Sequence, residues 1–316
     1  MNTISTLTFS AGIVLPLFVL IGLGYFLSRI NLFNDNFLRI ANKACFRVFL
    51  PTMLFYNISQ ADFSSTFDFR LIAFSLIVCI IIFVLLYLIV PRCVADEDKQ
   101  GVIIQGIFRN NFLLFGIPVC QNIYGLEGAI IASVVAAFTV PLNNIMAVIC
   151  LSKFNSKHQY TPKKILLEII TNPLVIGGLL GILFASTGIK LPALIEKPIS
   201  QISALATPFA LIVLGGGFKI TKAATDIRYL VSTTFLRLVV YPAVTLPVAV
   251  YLGFKGMAYA ALIALFAAPI SVSSYTMSQH FDVDYDLAGE LVVFSTIFSI
   301  FTIFFIIFIS KTYGLI

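Results

Sequence analysis

Arg109, Asn110 and Asn111 stand together inside a long apolar stretch that runs on to Pro118 and Gln121. Ser271, Ser273, Ser274, Thr276 and Ser278 follow Pro269 inside another. A guanidinium grips a carboxylate through two parallel N–H···O bonds. A primary amide both donates and accepts, which suits a carboxylate or a carbonyl group. Asn143 and Asn144, just after Pro141, are a further amide pair within an apolar run. The chemistry these groups offer is recognition of a small polar or anionic solute. Bond-making chemistry lacks its residues: the two histidines, His158 and His280, fall in loops, no HExxH is present, and no two aspartates sit deep in separate apolar runs. A GxxxxGK[ST] phosphate loop is absent as well, so the chain does not itself hydrolyse ATP.

Each group also has a plainer role. Serine and asparagine in membrane bundles often satisfy freed backbone or bond between helices. Arg109 lies only about eight residues into its stretch, within reach of the interface by snorkelling. Arg47 and Arg237, also inside apolar runs, fit structural pairing across helices. Glu290, early in the tenth span, is the one acid that is a candidate proton or cation site, and an interfacial position fits it equally. The alternating run His280, Asp282, Asp284, Asp286 has ligand-type residues but no metal-site spacing, and reads as a solvated turn.

The elements that must position these residues follow from composition. With 59% hydrophobic and 11% charged residues, the chain is far from the soluble average of roughly 25% charged. A span needs about 20 apolar residues, and ten are read, near 9–28, 38–58, 70–91, 101–121, 126–150, 166–187, 200–218, 229–252, 257–279 and 286–309. Loop lysines and arginines divide twelve against five if both termini lie outside, which sets that orientation by the positive-inside rule. No basic segment precedes the first span and Arg29 follows it, so it reads as part of the mature fold rather than a signal peptide. The five cysteines show no paired spacing and imply neither disulfides nor a metal site. Asn57-Ile-Ser59 fits a glycosylation sequon but sits too near the membrane to act as one. Gly177 and Gly181 form a GxxxG, and Gly215, Gly216 and Gly217 end the seventh span; both patterns fit close helix packing.

Proline removes an N–H and clashes with the preceding turn. In lipid, such a break is tolerable only where it is buried in protein or lines a cavity. Pro118 and Pro269 therefore mark two broken spans, the fourth and ninth. Pro16, Leu17, Leu23, Gly24, Pro51 and Leu54 recur 157 residues later as Pro173, Leu174, Leu180, Gly181, Pro208 and Leu211, and Pro118 matches Pro269 at 151. Two repeats are expected, 1–155 and 160–316. Five spans each is an odd number, so the second enters the membrane inverted, and interrupted segments in corresponding positions of two halves point to a substrate site near the midplane.

The stretch Asn111 to Pro118 (NFLLFGIP) with Tyr124-Gly125 resembles the fourth-span motif of the auxin efflux carrier family. Leu15-Pro16, Gly22-Leu23-Gly24-Tyr25, Leu50-Pro51 to Leu54-Phe55, Asn172-Pro173-Leu174, Leu191-Pro192 and Ala268-Pro269 look like that family over nearly the whole chain. The resemblance implies an all-α membrane protein of ten helices in two inverted five-helix repeats, similar to bile-acid sodium symporters and sodium/proton antiporters, with helices four and nine crossing at their prolines. Helices 1, 2, 6 and 7 would form a scaffold domain, and 3–5 with 8–10 a transport domain. Carried over by motif, Asn111, Pro118 and Pro269 would line the substrate site. The long cytoplasmic loop of the plant exporters is absent; Leu151 to Ile165 stands in its place. The expected function is secondary transport of a small organic anion, a malonate- or auxin-like carboxylate, by an elevator or rocking motion. A channel or a transporter-like receptor is the alternative. The expected setting is the cell membrane, with H+ or Na+ as the coupling ion if there is one, no nucleic-acid partner, and a homodimer through scaffold helices.

Overall fold

Long apolar stretches can satisfy their backbone in lipid only as helices or closed barrels. This chain takes the first route. The computed structural model describes residues 3–61, 68–154, 167, 170–218 and 227–316. Lys157, His158, Lys163, Lys164, Lys219 and Lys222, used above for orientation or exclusion, lie outside them, as does the side chain of His280. The helices are α1 (Thr3–Arg29), α2 (Asp35–Ala44), α3 (Leu50–Ser59), α4 (Phe69–Cys93), α5 (Glu97–Phe108), α6 (Ile117–Lys153), α7 (Pro173–Thr187), α8 (Ala193–Gly216), α9 (Ile227–Phe235), α10 (Tyr241–Tyr251), α11 (Gly256–Ala267), α12 (Val272–His280) and α13 (Tyr285–Thr312). Among the described residues six helical stretches are long and apolar enough to cross a membrane, and α7 and α11 are shorter apolar helices.

Three wide turns with i→i−5 bonding interrupt these helices: Cys45–Phe49 between α2 and α3, Phe112–Gly116 ahead of α6, and Leu236–Val240 between α9 and α10. Each ends two residues before a proline, Pro51, Pro118 or Pro242. The residue preceding each proline donates to a carbonyl five back: Leu50 to Cys45, Ile117 to Phe112, Tyr241 to Leu236. The extra residue moves aside the carbonyl that the pyrrolidine ring would strike. The helix therefore continues through Pro118. The first interruption lies earlier, at Arg109–Asn111, where the chain leaves the helix through an extended Arg109 before entering the wide turn. The expectation of a break at Pro118 is corrected by this geometry, whereas Pro269 does sit in the second break, between α11 and α12.

Within α6 the chain reverses at Gly125, whose φ of 66° lies in the left-handed region that favours glycine. Gly128 then comes against the Cys120 backbone, so the fourth and fifth spans meet at this point. The sixth span, read from 166, has its described helix beginning at Pro173. Asn172 is the N-cap, accepting from the Leu174 N–H at 2.9 Å, and proline at the first helical position is pre-set for a helix start.

α1 packs along α8, and α3 lies against both α7 and α8. Gly24 and Gly215 make the first contact possible: a β-carbon on either would fall into the backbone carbonyl of Ile212 or Ile21. Gly177 meets Pro51 and Gly181 meets Ile58, as the GxxxG implies. α2 lies against α8; α4, α5 and α11 pack against α6; α9 and α12 pack against α5 and α13; and α13 also lies against α1 and α11. The Asn57 side chain is buried and donates to Ser133 Oγ at 2.9 Å, which removes it as a glycan acceptor. Asp284 caps α13 by accepting from the Leu287 N–H, so the acidic run ends in a helix start.

Candidate functional site

The two interruptions lie against each other. Asn110 and Ile270 form an antiparallel bridge, in which the Asn111 N–H donates to the Pro269 carbonyl at 2.8 Å and the Ser271 N–H donates to the Arg109 carbonyl at 3.2 Å. Pro269 contributes an acceptor here and no donor is asked of it, so a residue without an N–H fits this position. The two bonds are symmetric about the Asn110–Ile270 pair, and the half-helices before them, α5 and α11, are each 12 residues long. The bridge thus pairs Asn110 with Ile270, while Pro118 lies in the first turn of α6. Further bonds tie the two segments together, as Gln105 Nε2 donates to the Ser274 carbonyl at 3.0 Å and to Ser278 Oγ at 2.7 Å; the Ile270 N–H donates to Ser295 Oγ of α13 at 3.1 Å.

The junction brings like helix ends together. α5 and α11 both finish at it, and their last carbonyls face Arg237 on the third wide turn. Arg237 has no exposed surface. Its Nε and Nη2 donate to the Ala268 carbonyl at 2.9 and 2.7 Å, Nη2 also to Leu265 at 3.2 Å, and Nη1 to Ile107 at 3.2 Å. The ring of Tyr241 packs 4.9 Å from the guanidinium carbon. Two helix C-termini carry about −0.5 charge each, and one guanidinium balances them. Arg237 is thus structural, and its partners are backbone groups of both broken segments.

On the opposite side is a cavity of about 430 Å³. Arg109, Asn110, Asn111, Asn143, Asn144, Ser271 and Ser273 line it, together with Arg47, Asn172, Thr276 and Met277. Three helix starts reach it: the wide turn leading to α6, the beginning of α12, and the capped beginning of α7. Arg109 is 5% exposed and donates to Asn144 Oδ1 and the sulfur of Met277, both neutral, so it does not snorkel to an interface. Ser271 and Ser273 share a hydroxyl hydrogen bond of 2.7 Å. The amide groups of Asn110, Nδ2 of Asn111 and Oδ1 of Asn143 are buried without a hydrogen-bond partner. An unsatisfied buried polar group costs about 1–3 kcal/mol, and here several belong to residues that line one cavity. No acidic side chain among the described residues lines the cavity.

Ser274, Pro118, Pro269 and Glu290 are not part of this lining. Pro118 is buried in the first turn of α6, Pro269 lies within the bridge, and Ser274 is buried with its hydroxyl unpartnered. Glu290, near the start of α13, is half-buried. Sequence reasoning missed Met277, which carries no polar signal, and Asn172, whose cap-plus-proline pattern marks a helix start but not where that start points.

A model of a family described as membrane transport protein matches residues 9–307. An uncharacterized transporter of Methanothermobacter thermautotrophicus is 26% identical over 91% of this chain and 94% of its own length. The uncharacterized transporter YfdV of Escherichia coli is 27% identical over 88% of this chain and 90% of its own length, and the Shigella flexneri protein of that name matches equally. A multi-pass helical chain matched over nearly its whole length is a transporter and not an enzyme: it belongs to the Mem_trans family of membrane transport proteins, the auxin efflux carrier family that its motifs resemble.

Proposed function

We propose that the chain is a secondary carrier for a small organic anion, with the carboxylate held on the amide side of the paired breaks. The observation that carries this reading is electrostatic. The cavity gathers the Arg109 guanidinium, three helix starts of about +0.5 charge each and several unpartnered amides, with no acid among the described lining residues. Such a site lacks a negative charge, and a carboxylate supplies it while satisfying the amides. Arg109 is the primary charge partner; Asn111, Asn110 and Asn143 orient the ligand; Ser271 and Ser273 offer hydroxyls from the other segment.

In the finer reading, ten spans form two inverted five-helix repeats, both termini lie outside, and the protein pairs as a homodimer through its scaffold. The packing of α1, α3, α7 and α8 upon one another supports a scaffold group, which meets the rest where α1 lies on α13 and where α3 and α7 lie on α6. The cavity draws Arg47 and Asn172 from the first group and Arg109 and Ser271 from the second. Motion of one group against the other would then open the site to alternate sides, the elevator or rocking cycle of such carriers.

The test is reconstitution into liposomes, following uptake of labelled malonate, acetate and benzoate under separate proton, sodium and voltage gradients. Uptake of at least one carboxylate, lost in Arg109→Gln, is the expected outcome. Uptake of none, or a conductance far above carrier turnover, contradicts it.

A further inference from the structure

Carbonyls at the C-terminal ends of interrupted helices are where secondary carriers commonly coordinate a coupling cation. In this chain those carbonyls are already occupied. Ile107, Leu265 and Ala268, from both broken segments, all accept from Arg237, which is fully buried on a separate element. Backbone carbonyls replace the hydration shell of an alkali cation when they converge on one point. Here they converge on a guanidinium that cannot leave, because it is part of the chain, and that stays charged at any physiological pH. Sodium could take the position only by displacing four N–H···O contacts and burying a second positive charge beside the first, at a cost set by Coulomb repulsion in a medium of low dielectric.

We infer that Arg237 is a built-in counter-cation: it holds the two half-helix ends together permanently, so anion transport through the neighbouring cavity requires no sodium ion at the junction. The inference rests on the carrier reading above and deepens it by assigning how the junction is charged. Arg237 acts as a positioning residue. It does not line the cavity, but its carbonyl partners lie within a few residues of Arg109, Asn110 and Ser271, so the hold it exerts sets their spacing.

The test uses the full-length protein in detergent and in liposomes. With the wild type, uptake of labelled malonate, acetate and benzoate is compared in sodium, potassium and choline media at equal ionic strength. Rates for any transported carboxylate should agree within twofold, and an absolute sodium requirement overturns the inference. If none of the carboxylates moves in any medium, the carrier reading fails instead, and the next measurement decides about Arg237 independently of transport. In Arg237→Ala the vacated space can admit a small cation. Millimolar guanidinium or sodium should raise the unfolding temperature of this variant by several degrees, and leave the wild type unchanged. Absence of any such response in a folded Arg237→Ala protein overturns the inference. Should Arg237→Ala not fold, Arg237→Lys keeps one cation at the junction. It should fold and transport, slowed no more than tenfold and still without sodium; a lysine variant that folds but works only with sodium is a contradiction.

Discussion

On one face of the junction the ends of α5 and α11 converge on Arg237, and every charge there is answered within the protein. On the other face three helix beginnings and Arg109 converge on a cavity where the amides of Asn110, Asn111 and Asn143 carry unpartnered atoms. Both faces are built from the same two segments, separated by one pair of bridged residues. The difference teaches where stability ends and function begins. A closed polar network stabilises the interruption, while an unfinished one leaves room for a ligand that completes it.

That contrast can be broken most forcefully at Arg237. Replacing it with methionine leaves three buried carbonyls without their donors. At about 1–3 kcal/mol for each, the loss should be at least ~3 kcal/mol, read as a large fall in thermal or denaturant unfolding of the purified protein. A variant as stable as the wild type would show that the carbonyl face is not closed by this residue.

Arg109→Gln is the matching change on the open face, and its effect should fall on function instead. Losing a charged hydrogen bond of about 1.5–3 kcal/mol corresponds to roughly 10- to 150-fold weaker carboxylate binding. Unfolding should shift little, since its present partners Asn144 and Met277 are neutral. A large stability loss with intact binding would reverse the assignment of the two arginines.

Asn111→Ala sharpens the comparison through its sign. The amide nitrogen is buried and unpartnered in the empty protein, so its removal should leave the unfolding temperature unchanged or slightly raised. Carboxylate affinity should fall about fivefold to tenfold, the worth of roughly 1–1.5 kcal/mol of hydrogen bonding. The smallest effect belongs to Pro118→Ala, which touches neither face: carboxylate affinity should change less than twofold in equilibrium binding.

How much of this was legible in the sequence depends on where the signal lies. The polar residues of the first break announced themselves, because arginine and paired asparagines are costly in an apolar run. Pro269 marked its break correctly. Pro118 misled, since a proline near a helix start following a wide turn does not end the helix, and the true interruption falls at residues that have no backbone-breaking type. Arg237 was visible as a buried charge but its partners were not, because they are carbonyls of Ile107, Leu265 and Ala268, and a carbonyl leaves no mark on residue identity. Gly24 and Gly215 could be read as packing residues, yet which helices they join is a property of the fold alone.

The central claim, that the open face receives an anion, is tested most directly by locating one. A structure of the protein with a bromine-labelled carboxylate such as bromomalonate, phased to reveal the bromine, should place it in the cavity, with its carboxylate oxygens within hydrogen-bonding distance of Arg109 and Asn111. A fully bound carboxylate found elsewhere, or a cavity that stays empty while the same compound is transported, would contradict the account.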